Sequence, residues 1–454
     1  MKILLVRPAP EKETIGLQHV MLVEPLELEV LATVVEDNHD PVVVDMILEK
    51  APLEYFLEKY QPDLFCVTGY ITNVKTMIEY CARAKKFAPQ IVTVAGGVHV
   101  EVVPEDLHHI AVDYRVVRNA TTVFTGLISY LEGQGEKPKA ALAYGENPGR
   151  ANWPSFDFTF PRVNRTYTGK YRDEYFYIFH NKVALVKTAF GCPYNCNFCF
   201  CRSITDDNFA QRPLEDIISE IKDLEEKEIY IVDDDFLVSP SRLGKFLDAL
   251  EKENIEKNFL IYGRSDFIVE QVELIKRFRR LGLKTIIVGL ESFNKEELDR
   301  YNKNNSPATN EKAIKLMNSL GIDCFATVII PPHWKAEDFD QLGDKLIELD
   351  IKYVNLQPLT PIPGTGFEVE PEKLLIHRSD YASWDLAHVA IRPEHLSVSE
   401  FYRQIIKLYE RILFRPAVLL SHLKYPPSML WKMLKGSYLV HRQYLKKMKE
   451  AGNA

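Results

Sequence analysis

No stretch of the 454-residue sequence is long and apolar enough to span a bilayer. Its start lacks the basic region, apolar segment and small-residue cleavage site of a secretory signal, because Met1 leads straight into the strand-like KILLV. Both absences predict a cytoplasmic protein. Net positive charge is missing as well. A formal charge of −8 argues against a nucleic-acid-binding surface, and no helix-turn-helix or other reader motif is present. Cysteine is scarce: of seven, Cys192, Cys196, Cys199 and Cys201 lie within ten residues, while Cys66, Cys81 and Cys324 stand apart. An odd, clustered set points away from a disulfide framework and toward metal ligation in a reducing compartment. With 46% hydrophobic and 26% charged residues, extended disorder is not expected, and the length allows two or three domains.

Four regions follow from the patterning. In residues 1–135, apolar runs at 3–6, 42–44, 64–68, 91–95 and 114–117 alternate with helical periodicity at 25–36, 53–60, 73–87 and 121–131. This α/β alternation predicts a doubly wound parallel sheet, with ligands at the carboxyl ends of its strands. That edge carries Thr68-Gly69-Tyr70 and Gly96-Gly97-Val98-His99. A dinucleotide site is excluded, since no G-x-G-x-x-G follows the first strand. Gly96 and Gly97 lack Cβ atoms and so admit a flat ligand close to the backbone; a pair that merely turns the chain is the alternative. His19 and His99 read as hydrogen-bonded structural residues.

Residues 136–182 are rich in Gly and Pro without a sustained period and read as a linker, tacked down by aromatic residues. In residues 183–370, strand segments at 183–188, 229–233, 259–262, 285–290, 324–330 and 353–357 alternate with helices. Six βα units predict an open, partial barrel with function at the strands' carboxyl ends. The loop GCPYNCNFCFCR (191–202) follows the first of these strands. Three thiolates at CxxxCxxC spacing suit three irons of a cubane cluster, leaving the fourth iron open. With Cys201 as a fourth ligand, structural zinc is the alternative. Taken singly, Asp233 to Asp235 read as solvated strand-end carboxylates, and Glu291 as a helix cap. Residues 371–454 form a helical C-terminal extension, in which 411–454 hold nine Lys or Arg against the lone acid Glu450. Interleaved Leu419, Leu420, Tyr425, Met429, Leu430, Trp431 and Leu434 suggest either peripheral membrane contact or a cap with a solvated basic face.

The motifs together resemble the cobalamin-dependent radical S-adenosylmethionine enzymes. Thr68 and Gly96 stand 28 residues apart, and GGVHVEVVPEDL (96–107) matches the family's GG-x-H-x-x-x-x-P-E segment. Around the cysteines the matches are Phe198 before Cys199, Asp233-Asp234-Asp235-Phe236, Arg264-Ser265-Asp266, Gly289-Leu290-Glu291-Ser292, Tyr301-Asn302-Lys303 and Pro361-Ile362-Pro363-Gly364-Thr365. Three departures stand out. No D-x-H-x-x-G follows the first strand, Arg118-Asn119-Ala120-Thr121-Thr122 replaces a common Gly-Glu-Gly-Glu, and Ile330-Pro331-Pro332-His333 lacks the glycine usual after the fifth barrel strand.

The resemblance implies a [4Fe-4S] cluster on Cys192, Cys196 and Cys199. It implies S-adenosyl-L-methionine held by Phe198, Asp234, Arg264 and Glu291, and cleaved to methionine and a 5′-deoxyadenosyl radical. Cobalamin is expected at Thr68, Gly69, Tyr70, Gly96, Gly97 and Val98, without a histidine ligand to cobalt. The implied activity is methylation of an unactivated carbon of a small-molecule or lipid-like substrate, with electrons from a donor such as flavodoxin or ferredoxin. An oxidative cyclase, a non-catalytic iron–sulfur and cobalamin sensor, and a radical enzyme whose first domain, with Arg118 to Thr122, no longer binds cobalamin are the alternatives. No residue stands out as a catalytic base, and His333 is a candidate only for lining the site.

Overall fold

The computed structural model describes residues 1–452. Strands β1 (Lys2–Arg7), β2 (Asp40–Asp45), β3 (Leu64–Thr68), β4 (Val92–Gly96), β5 (Tyr114–Val116) and β6 (Ala141–Ala143) form one sheet in the order β2-β1-β3-β4-β5-β6. The first five are parallel and β6 runs antiparallel to β5. Continuous apolar runs such as Ile3, Leu4, Leu5 and Val6 are buried because helices cover both faces. β6 falls inside the segment read as linker. Its run of small apolar residues was too short to show a period, and tertiary contacts select it. The buried Arg115 guanidinium donates to the carbonyls of Pro104 at 3.1 Å and Glu146 at 2.6 Å, which fixes the turn after β6.

The second sheet is all parallel and in chain order: β7 (Val183–Val186), β8 (Glu228–Ile231), β9 (Asn258–Gly263), β10 (Leu283–Glu291), β11 (Asp323–Ile330) and β12 (Tyr353–Pro358). β7 and β12 each have one neighbour, so the barrel stays open. Side chains alternate between its two surfaces. Ala184, Ile229, Ile261, Ile286 and Val328 pack with the surrounding helices. Leu185, Tyr230, Leu260, Ile287, Phe325 and Tyr353 share a separate inner cluster with Phe176 and Tyr177 of a short hairpin and with Met429 and Met433.

Ion pairs join the two sheets. Buried Glu24 receives both Arg165 and Arg172 and accepts the Leu185 N–H of β7 at 2.5 Å. Arg165 also donates to Glu220 at 2.7 Å and to the Leu185 carbonyl at 2.6 Å. A buried carboxylate with this many donors is compensated, which turns a desolvation cost into a rigid junction. The expected C-terminal helices appear as Val398–Leu413, Pro416–His422 and Pro427–Gly452.

Candidate active site at the facing sheet edges

The CxxxCxxC loop leaves β7 under tight local control. Asp233, at the end of β8, accepts the backbone N–H groups of Thr188 at 2.7 Å and Ala189 at 3.0 Å, together with the Thr188 hydroxyl. Asp233 is therefore buried and structural, not a solvated strand-end carboxylate. Gly191 has φ +75°, and a Cβ there would lie 2.2 Å from the Asn208 carbonyl oxygen, so only glycine fits before Cys192. From the other side, residues 300–302 clip the loop. The Asn197 N–H reaches the Tyr301 carbonyl, the Asn197 amide reaches the Arg300 carbonyl, and the Asn302 amide reaches the Asn195 carbonyl. Phe198 packs edge-on against Tyr301, ring centroids 5.8 Å apart.

The donor set on this loop is three half-buried thiols, Cys192, Cys196 and Cys199, followed by Cys201. Among the described residues, no three His, Cys, Asp or Glu side chains are gathered to hold a single metal ion. Burial pushes the Cys192 thiol up to about 12. A hydrogen bond from Cys201 lowers that of Cys199, against its burial. Loading metal on these thiols must expel protons. Three sulfur donors spread along one fixed loop fit a site-differentiated cluster better than one tetrahedral ion, because they are not gathered around a single point.

Behind the loop lies a charged network that sequence reading did not assemble. Glu291, 6% exposed, pairs through Oε1 with Lys303 Nζ at 2.9 Å, and Lys303 is itself 7% exposed. Burial pulls the Lys303 ammonium down, but the Glu291 carboxylate and the Cys196 thiol outweigh it and hold the ammonium above its ordinary range. Glu291 is not a helix cap. Asn294 caps the next helix, accepting from the Glu296 N–H at 2.8 Å. A bulge beside β11 and a φ of +60° turn Glu291 toward Lys303. Arg264 donates to Asp266 at 2.7 Å and to the Lys303 carbonyl at 2.9 Å, and its guanidinium lies 4.0 Å from the centroid of the Tyr194 ring in the cysteine loop. Asp235 is buried with Oδ2 unpartnered, and burial pushes its carboxyl up to about 7. Asp234 is half-buried beside Cys201. His333 approaches Glu297 at 3.2 Å, together with the Trp334 indole at 2.8 Å.

The first sheet presents its edge to the same space. Thr68 and Gly96 are cross-strand partners in β3 and β4. A Cβ on Gly96 would meet nothing nearer than Val116 Cβ at 4.0 Å, so open space lies over this backbone. Gly97, at φ +99°, is different: a Cβ would strike Thr68 Oγ1 at 2.5 Å and the Gly69 nitrogen at 2.9 Å. Val98 begins the helix Val98–Val102. The Tyr70 ring is 60% exposed yet surrounded by protein. Burial first, and then Glu27, Tyr262, Asp234 and Cys201, push its hydroxyl up to about 12. Tyr70 thus stands in the cleft between the sheet edge and the barrel mouth. An open glycine backbone, a small hydroxyl beside it and an aromatic ring over the cleft fit a large flat ligand.

The divergent residues 118–122 have a structural occupation. Arg118 pairs with Asp206, donates to the Pro154 carbonyl at 2.9 Å and stacks on Trp153 at 5.3 Å. Asn119 and Thr122 bind Ser155 and Asp157. This stretch therefore anchors the linker. His99 is hydrogen-bonded to Asp106 at 2.7 Å, as expected for a structural histidine.

Fold and site together define a radical enzyme in which a corrin-binding sheet faces a cluster-bearing partial barrel. The Radical SAM superfamily model matches residues 186–346 and the B12 binding domain model residues 15–128. The chain is similar to the hopanoid C-3 methylase of Methylococcus capsulatus, with 27% identity across 91% of this chain and 80% of that one. It is 23% identical to the anaerobic magnesium-protoporphyrin IX monomethyl ester cyclase of Rubrivivax gelatinosus, covering 84% and 71%. It shares its fold with the radical S-adenosylmethionine methyltransferase TsrM of Kitasatospora setae, solved with cobalamin and a [4Fe-4S] cluster; the TM-score is 0.68 at 16% identity over 99% of both chains. The chain belongs to the cobalamin-dependent radical S-adenosylmethionine enzymes, whose cofactors are a [4Fe-4S] cluster, S-adenosylmethionine and cobalamin.

Proposed function

We propose that this enzyme transfers a methyl group to an unactivated carbon of a small-molecule or lipid-like substrate. One observation carries the reading: the helix Val98–Val102, which follows the Thr68–Gly96 edge, packs against Cys201–Ile204 at the end of the cysteine loop and against Gly364 after β12, so the sheet edge faces the barrel mouth. Bound there, the three cofactors supply an electron, a hydrogen-abstracting radical and a methyl group. The residues supply position. Cys192, Cys196 and Cys199 would hold the cluster, and Phe198 and Asp234, on either side of it, would line S-adenosylmethionine. Glu291, held by Lys303, would accept from the ribose hydroxyls. Arg264, fixed by Asp266 and Tyr194, reaches toward the carboxylate. Thr68, Gly69, Tyr70, Gly96, Gly97 and Val98 line the corrin. Holding the reacting groups together away from water is the main contribution expected of such a site.

In this reading residues 1–135 bind cobalamin, 183–370 hold the cluster, and the segment 374–391, packed on Ile71 after β3 and on Leu359 after β12, walls the substrate side. The enzyme works in the cytosol with a flavodoxin- or ferredoxin-type donor. The methylase and methyltransferase relatives support methyl transfer; the cyclase relatives favour the second reading, oxidative ring closure with the same cofactors. Anaerobic turnover of the reconstituted enzyme tests both. S-adenosylhomocysteine formed alongside 5′-deoxyadenosine is expected. Substrate consumption with 5′-deoxyadenosine and no S-adenosylhomocysteine would transfer the assignment to the cyclase chemistry.

A further inference from the structure

We propose that the outer face of the C-terminal helices docks on a lipid bilayer rich in anionic headgroups. On helix Pro427–Gly452, Trp431, Leu434 and Tyr438 recur at spacings of three and four, which places them on one stripe. They are 70%, 60% and 59% exposed, and Leu420 and Leu423 just before this helix are 66% and 70% exposed. Apolar side chains of this size are seldom left open together on a soluble surface without a partner.

The stripe cannot turn inward. The opposite face of the helix buries Met429 and Met433 in the barrel's inner cluster. Gly436 lies so close to the first domain that a Cβ would sit 2.0 Å from the His19 carbonyl oxygen. Gln443 accepts from the Gly16 N–H and donates to the Thr14 carbonyl. Charge selects the occupant. The chain carries −8 overall, yet residues 411–454 hold nine Lys or Arg and only Glu450. Lys432, Lys446 and Lys447 bond inward to Glu174 and Glu13. Lys435 and Arg442, one turn beyond Trp431 and Tyr438, are exposed beside the stripe. A second copy of this face would bring like charge onto like. Trp and Tyr flanked by Lys and Arg match a helix lying in a lipid interface. Among the described residues no helix is long and apolar enough to cross a membrane, so the contact is one of lying on the surface.

Full-length reconstituted protein is sedimented with vesicles of phosphatidylcholine alone and with equimolar phosphatidylcholine and phosphatidylglycerol. Binding to the mixed vesicles, weakened by salt, is expected. Trp431→Asp with Leu434→Asp should lower partitioning by roughly tenfold or more. Lys435→Glu with Arg442→Glu should lower it and flatten the salt dependence, while Ile110→Asp, on the first domain, should leave it unchanged. If the stripe variants lose thermal stability, quenching of wild-type tryptophan emission by brominated lipid replaces them; no quenching overturns the proposal. So do three other results: no binding to the mixed vesicles, binding indifferent to the stripe, or a dimer of the free chain that Trp431→Asp dissolves.

Discussion

Lys303 Nζ lies 2.9 Å from Glu291 Oε1, and neither side chain is more than 9% exposed. Gly289 makes room for the pair, since a Cβ there would come within 2.4 Å of Glu291 Oε1 and 2.8 Å of Lys303 Nζ. Breaking one partner leaves the other as an uncompensated buried charge. Glu291→Gln should cost the apoprotein about 3–5 kcal/mol in denaturant unfolding. Glu291→Gln with Lys303→Met should recover most of that loss, because removing both charges of a buried pair is close to neutral. A double variant no more stable than the single one would mean that the pair is not the source of the loss.

Asp235 gives the apoprotein a pH signature. Burial raises its carboxyl to about 7, whereas the unfolded chain ionises near the ordinary carboxylate value. Between those values folding takes up a proton, so this residue's contribution falls as pH rises from about 4 to about 7. Asp235→Asn abolishes the dependence. The variant should therefore gain on the wild type by up to roughly 4 kcal/mol between pH 4 and pH 8. Parallel stability–pH curves for the two proteins would show that Asp235 stays ionised.

Gly96 and Gly97 separate ligand binding from folding. Gly96→Ala meets open space and should change apoprotein stability by no more than about 1 kcal/mol, while excluding cobalamin. Gly97→Ala forces an L side chain to φ +99° against Thr68, and should cost about 1–3 kcal/mol even without ligand. Hydroxocobalamin reconstitution, gel filtration and an absorption spectrum read the first effect. Full cobalamin retention by Gly96→Ala would remove the corrin from this edge.

Arg118 ties the first domain to the linker and to Asp206 beyond the cysteine loop. Arg118→Ala should destabilise the protein by about 2–4 kcal/mol and open the 148–160 segment to protease. Unchanged cleavage there would show that the linker is held without it.

Cys201 is the remaining thiol of the loop. Cys201→Ser should keep the charge-transfer absorption of a reconstituted cluster, whereas Cys192→Ser, Cys196→Ser or Cys199→Ser should lose it. Loss of the chromophore in Cys201→Ser, with zinc retained by the wild type, would restore the four-thiolate alternative.

The parallel-sheet domain, the partial barrel and the cysteine loop were legible because each is written locally, in apolar runs, β–α rhythm and residue spacing, whereas the strand order was set by tertiary packing. Glu291, Arg264, Asp266 and Lys303 were all visible as motif residues, but not which of them pair. Lys303 is distant from Arg264 in sequence, and only the packing of the segment after β10 against the cysteine loop brings Lys303, Arg264 and Tyr194 together. The same holds for β6, whose few apolar residues carry no period of their own, and for Arg118, whose role depends on where the linker passes. Asp233 and Asp235 read as solvated in sequence, and burial made them structural. The sequence by itself determined which local elements form and which chemistry each strand end carries. The tertiary structure decided which charges meet, because in a low-dielectric interior only groups brought within a few ångströms and cut off from water are compelled to pair.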